Sequence, residues 1–172
     1  MTQTLILLAV ATVVIWIIAE KAAESSGRDV GNRFLEVTPD YTADGLRSWI
    51  ATYPFQAHRY AFPVLFPLDL LFLLTVAGFF AVASIAIAHA LHWNQEWIRL
   101  CAIFPILYAT CDLIENILLV RLLVSPTVVT DRSVAVAQTV TGLKFAAVAI
   151  SAAQLLLLVG LGLLRILFHA LR

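Results

Sequence analysis

A chain of 172 residues in which 62% of side chains are hydrophobic and only 13% are charged is too apolar for a water-soluble domain, where about half are apolar and about a quarter charged. Lys and Arg balance Asp and Glu at 11 each, for a formal net charge of zero. With no Lys/Arg cluster anywhere, the electrostatic footprint of nucleic-acid binding is missing. What remains is an all-α integral membrane protein, expected as one four-helix transmembrane domain over residues 1–172.

The first segment is uninterrupted apolar sequence from Thr4 to Ala19. Continuing through Glu20-Lys21-Ala22-Ala23 brings it to spanning length, about residues 4–23. A cleaved leader would open on a basic stretch, which Met1-Thr2-Gln3 does not supply, so this segment is expected to stay as a transmembrane helix. The long polar loop, about residues 24–62, begins with the turn-rich run Glu24 to Asp29. Thr38-Pro39-Asp40-Tyr41-Thr42 then offers capping side chains ahead of Ala43 to Tyr53. There Leu46, Trp49, Ile50 and Tyr53 recur at helical spacing, predicting a short amphipathic helix on the membrane surface or over the mouth of the bundle.

Pro63 and Pro67 suit the start of the second span, about residues 64–92. Asp69 falls in its first turns, where it can cap the helix or face the acids of the third span. His89 and His92 lie at i, i+3 without a third ligand, so they are expected as interfacial residues and no metal site is expected. Trp93 and Trp97 bracket a tight connection at the headgroup boundary, and the third span covers about residues 97–123. Pro105 frees the carbonyl of Cys101 and predicts a kink. Cys101 and Cys111 stand about 15 Å apart on that helix, beyond the reach of a disulfide. After Ser125-Pro126 the fourth span, about residues 134–171, exceeds what a bilayer needs and ends in Arg165, His169 and Arg172.

The chemistry sits in the third span. Tyr108, Asp112 and Glu115 fall at i, i+4 and i+7 with Asn116 beside them, so one face of an otherwise apolar helix is polar. A carboxylate in hydrocarbon is costly unless it is protonated, paired or turned to a polar cavity. Arg121 is about 180° around the helix from Asp112 and is expected to snorkel at the interface. In an antiparallel hairpin, Lys144 comes to about the depth of Glu115 and can pair with it. Thr141, Lys144 and Ser151 lie along one stripe of the fourth span.

Asp112 and Glu115 are therefore the candidate acid–base pair if the protein is an enzyme, and Asp69, Tyr108, Asn116, Lys144 and Ser151 the candidate ligand-binding residues. Three acids and one base in one cavity would keep a proton among them, the arrangement needed to isomerise an olefinic lipid. The same array serves to bind a lipid-like, isoprenoid or sterol-type ligand without chemistry, or to relay protons in a small transporter. It also serves as a buried ionic network that fixes helix packing in an accessory subunit, with a second copy or a partner membrane protein. No zinc-type cysteine spacing, phosphate-binding Gly loop or GxSxG motif occurs, so no cofactor is expected.

Asp112-Leu113-Ile114-Glu115-Asn116, preceded by Arg59-Tyr60 and Asp69, resembles a pattern in small bacterial four-helix membrane proteins that carry Asp-Leu/Tyr-x-Glu-Asn in the third helix. The four spans, the long first loop, an acid early in the second span and Trp97-Ile98-Arg99 opening the third are also similar to the EXPERA family, which includes emopamil-binding sterol isomerases and the sigma-2 receptor. These resemblances imply an apolar-ligand pocket and a bacterial inner-membrane location. Orientation stays open. Arg99, Arg165 and Arg172 flank the side that holds both termini, while Lys21, Arg28, Arg33, Arg47, Arg59, Arg121 and Arg132, most of them in the long loop among acids, lie opposite.

Overall fold

The computed structural model describes residues 2–25, 35 and 40–170, and these contain helices and turns without a strand. Seven α-helices follow in order: α1 (Thr2–Ser25), α2 (Ala43–Thr52), α3 (Pro54–Arg59), α4 (Leu70–Ala90), α5 (Gln95–Leu100), α6 (Ile103–Val124) and α7 (Asp131–Ala170). Four stretches are long and apolar enough to cross a membrane: Thr2–Glu24, Pro54–Ala90, Gln95–Val124 and Asp131–Phe168. The protein is a multi-pass membrane helical bundle. Glu24 and Ser25 of the turn-rich run end α1, while its remainder from Ser26 to Asp29, the Thr38-Pro39 capping residues, Arg33 and Arg172 lie outside the described residues.

Helices α6 and α7 form the tightest pair, an antiparallel hairpin closed by Pro126–Val128. Its register is read from side chains that meet: Thr141 lies opposite Glu115, Lys144 opposite Asp112, and Gln154 opposite Cys101. The buried side of α7 follows the short alternation of three and four residues that keeps one stripe against a partner helix, Val134, Ala137, Thr141, Lys144, Ala147 and Ser151. Helix α4 packs on both α6 and α7. Helix α1 lies against α4, with Leu8 over Gly78, and its most apolar window buries nothing.

One end of the bundle is closed by α2. Thr42 caps it, its hydroxyl accepting from the Gly45 N–H at 3.1 Å. Leu46, Trp49 and Ile50 are buried in a cluster with Leu119, Leu122, Leu123 and Val134. Each such side chain removed from water contributes about 1.5–3 kcal/mol. Gln138 of α7 donates to the Tyr41 carbonyl at 2.7 Å and ties the helix's approach to the bundle. The amphipathic stretch thus docks by its apolar face.

Two breaks separate the spans from simple rods. The expected helix start at Pro63 or Pro67 is instead an irregular segment, Tyr60–Asp69, in which Phe62 (φ −138°, ψ 116°) and Phe66 (φ −140°, ψ 116°) are extended. Proline drives the residue before it out of the helical region, so two such pairs delay α4 to Leu70. The second break is at Cys101-Ala102, between α5 and α6. Pro105 has no N–H for the Cys101 carbonyl, and Gln154 Nε2 supplies the donor at 2.8 Å.

His89 and His92 do not share a helix face as their spacing suggested. His92 lies beyond the end of α4 at φ 59°. Its N–H donates to the His89 carbonyl and the Trp93 N–H to that of Ala88, a Schellman closure. Asn94 then caps α5 by accepting from the Trp97 N–H. Arg165 Nη1 donates to the Ala90 carbonyl at 3.2 Å, so this basic residue braces the C-terminus of α4.

Candidate functional site

Helix α6 presents Tyr108, Cys111, Asp112, Glu115 and Asn116 on one buried face, while Leu113, Ile114 and Ile117 are turned outward. Opposite them α7 brings Thr141, Lys144 and Ser151, all buried. Lys144 stands between two acids: its Nζ is 3.2 Å from Asp112 Oδ1 and in closer ionic contact with Glu115 Oε2. The Thr141 hydroxyl donates to the other oxygen of Glu115. Glu115, fully enclosed, is thus held from two sides by α7.

Asp69 occupies the N-cap position of α4, yet its side chain makes no capping hydrogen bond. Oδ2 accepts from Asn116 Nδ2 at 2.7 Å instead, joining α4 to α6. A charge-assisted bond of this kind is stronger than a neutral one, so capping is not what places this carboxylate. Tyr108 is buried one turn before Asp112 on the same face of α6. Asn116 Oδ1 is buried without a hydrogen-bond partner.

These groups border a cavity of about 380 Å³ enclosed by α1, α4, α6 and α7. Asp69, Tyr108, Asp112 and Lys144 line it, with Phe72, Val76 and Val148 supplying hydrocarbon. Glu115, Asn116 and Ser151 do not line it. Ser151 donates to the Ala147 carbonyl of its own helix at 2.8 Å. The candidate residues therefore divide: Glu115 and Thr141 hold the Lys144 ammonium from behind, Asn116 holds Asp69, and Asp69, Tyr108, Asp112 and Lys144 face the space.

Two residues escaped the sequence reading. Trp16 and Glu20 of α1 line the same cavity, Glu20 as a third carboxyl. The signal for Glu20 was present, since continuing the first span past Ala19 puts an acid in a helix that must face something. Nothing in the sequence says which helix α1 packs against. Trp16 and Phe145 line the cavity while remaining exposed toward the lipid side, so it borders the bilayer between α1 and α7.

Chemically, the wall offers carboxyls, a phenol and an ammonium at one level and aromatic and aliphatic side chains around them. Hydrogen-bond donors and acceptors concentrated in a mostly apolar pocket hold the polar group of an otherwise hydrophobic molecule. The chain matches no protein-family model, no curated protein and no solved structure.

Proposed function

We propose that the protein binds a lipid-like amphiphile, of isoprenoid or sterol type, inside the bilayer. The polar group sits against Asp69, Tyr108 and Asp112, and the hydrocarbon runs along Trp16, Phe72 and Val76. The observation that carries this reading is the cavity of about 380 Å³, within the range of small-molecule sites, placed where intramembrane ionisable groups converge. A bacterial inner-membrane setting and kinship with the EXPERA-type proteins belong to the same proposal. The bacterial setting rests on the Asp112-Leu113-Ile114-Glu115-Asn116 run, and the EXPERA kinship on the four spans, the long first loop, Asp69 early in the second span and Trp97-Ile98-Arg99 opening the third.

Acid–base isomerisation fits this cavity better with Asp69 and Asp112 as the exchanging pair than with Asp112 and Glu115, because Glu115 is committed to Lys144 and Thr141 outside the lining. Native mass spectrometry of the gently solubilised protein tests the binding step, with wild type beside the Asp69→Asn/Asp112→Asn double variant. A discrete small molecule is expected on wild type and absent from the folded variant. An empty wild type overturns the reading. If the retained molecule is olefinic, incubation with the purified protein and analysis of its double-bond position decides whether chemistry follows binding.

A second reading, an assembly or accessory role, is favoured by one observation: α1 exposes Ile6, Leu7, Val10 and Val13 and buries none of its most apolar window. A stable complex with a second copy or another membrane protein, lost on substituting these residues with the cavity ligand retained, distinguishes this role from ligand binding.

A further inference from the structure

A second concavity lies on the outer face of α6, away from the charged cavity. It measures about 420 Å³ and runs between α6 and the irregular Tyr60–Asp69 segment. Leu113, Ile117, Val120 and Val124 form one helical stripe along it, and Phe62 and Phe66 form the facing wall. The stripe extends roughly 17 Å along the helix axis, the reach of an acyl chain. Ile117 is 60% exposed and Phe66 48%, so none of the described residues covers the groove.

The groove is charged at one end only. Arg121 is the single ionisable residue in its lining, beside Ser125 in the last turn of α6. Among the described residues no carboxylate pairs with its guanidinium. The ring of His58 lies against Phe62, tilted by 45° with centroids 5.5 Å apart, which places a second nitrogen-bearing side chain next to the facing wall. A guanidinium without a counter-ion at the interfacial end of an apolar channel is complementary to a molecule with an anionic head and a long tail.

We infer that this groove is a binding site for an anionic phospholipid of the surrounding bilayer, its acyl chain along Leu113, Ile117 and Phe66 and its phosphate on Arg121 and Ser125. The site is independent of the inner cavity. Asn116 forms part of the groove's floor and bonds Asp69 on the other side, so the Asp69–Asn116 pair is the partition between the two spaces.

The test is competition for the purified protein between palmitoyl-oleoyl phosphatidylglycerol and the phosphatidylcholine with the same chains, read as adducts by native mass spectrometry. Wild type is expected to retain the anionic lipid about fivefold over the zwitterionic one, the scale of one basic side chain near a phosphate. Arg121→Gln brings the ratio to unity with both lipids still bound, and Ile117→Trp, which fills the groove at a lipid-facing position, reduces both adducts. Asp112→Asn, which lines the inner cavity and leaves the Asp69–Asn116 partition in place, keeps the preference intact, so the outcome is separable from that of the inner cavity. Equal retention by wild type, a preference that survives Arg121→Gln, or one abolished by Asp112→Asn each overturns the assignment. Retention of inorganic phosphate alone in place of the lipid overturns it as well.

Discussion

Replacing Lys144 by Met keeps the length of the side chain and removes the ammonium from between Asp112 and Glu115. The two side chains are 3% and 0% exposed, so neither carboxylate can recover its hydration. Breaking a buried ion pair from one side costs about 3–5 kcal/mol. Lys144 serves two carboxylates, and the upper end, about 5 kcal/mol, is expected. For a chain of this size each kcal/mol corresponds to about 2–4 °C in midpoint, giving a fall of roughly 10–20 °C. Glu115→Gln leaves Lys144 paired with Asp112 and leaves the Thr141 hydroxyl an amide oxygen to donate to, so its loss is expected at about 1–3 kcal/mol. The triple variant Lys144→Met/Asp112→Asn/Glu115→Gln removes the stranded charges and is expected to recover stability relative to Lys144→Met alone. Thermal unfolding of the detergent-solubilised proteins, followed by tryptophan fluorescence, gives all four midpoints. A Lys144→Met protein within about 0.5 kcal/mol of wild type, the range of surface substitutions, would refute the argument that this ammonium compensates both acids.

Gln154→Leu strands the Cys101 carbonyl and is expected to lower stability by about 1–2 kcal/mol. Pro105→Ala restores an N–H four residues on, so a double-mutant cycle on the same unfolding assay should show the pair coupled, and additive losses would contradict the proposed exchange of donors. His92→Gly is expected to raise the midpoint, by about 1 kcal/mol of relieved left-handed strain less the added freedom of the unfolded chain. Thr42→Ala removes the α2 cap for about 1 kcal/mol, which faster hydrogen exchange across Ala43–Thr52 would register. Ser151→Ala, whose hydroxyl bonds its own helix, should leave both the midpoint and the small-molecule adduct nearly unchanged, whereas Thr141→Val should lower the midpoint by depriving Glu115 of a donor.

The polar face of α6 was legible because helical spacing alone aligns Tyr108, Asp112, Glu115 and Asn116, and the cost of charge in hydrocarbon makes such a face conspicuous. The meeting of Lys144 with Glu115 followed from counting residues outward from one short turn. The break at Cys101-Ala102 followed from the missing N–H of Pro105. What the sequence could not supply were contacts between helices distant along the chain. Asp69 at a helix start has an adequate local explanation in capping, and only the placement of α4 against α6 reveals Asn116 as its partner. Trp16 and Glu20 reach the cavity because α1 lies on α4, a choice that an apolar segment with no marked stripe does not announce. Ser151 shares a stripe with Lys144, but its hydroxyl is satisfied by Ala147, an outcome that spacing leaves undecided.

A buried ionic network and an adjoining cavity are poor companions if the network's purpose is packing alone. Ion pairs in an apolar interior stabilise only when the surrounding lone pairs and protons are satisfied, and space left beside them forfeits dispersion contacts in proportion to its volume. Glu115, Thr141 and the rear of Lys144 come nearer the first requirement: they are enclosed, with an ion pair on one Glu115 oxygen and a hydrogen bond on the other. Asp69, Tyr108 and Asp112 do not, since they turn toward about 380 Å³ that the described residues leave unfilled. An arrangement that closes one side of a lysine and leaves the facing acids beside a cavity gains stability from an occupant with a polar group at their level and hydrocarbon elsewhere. The bilayer beside Trp16 and Phe145 is the solvent from which such a molecule would come.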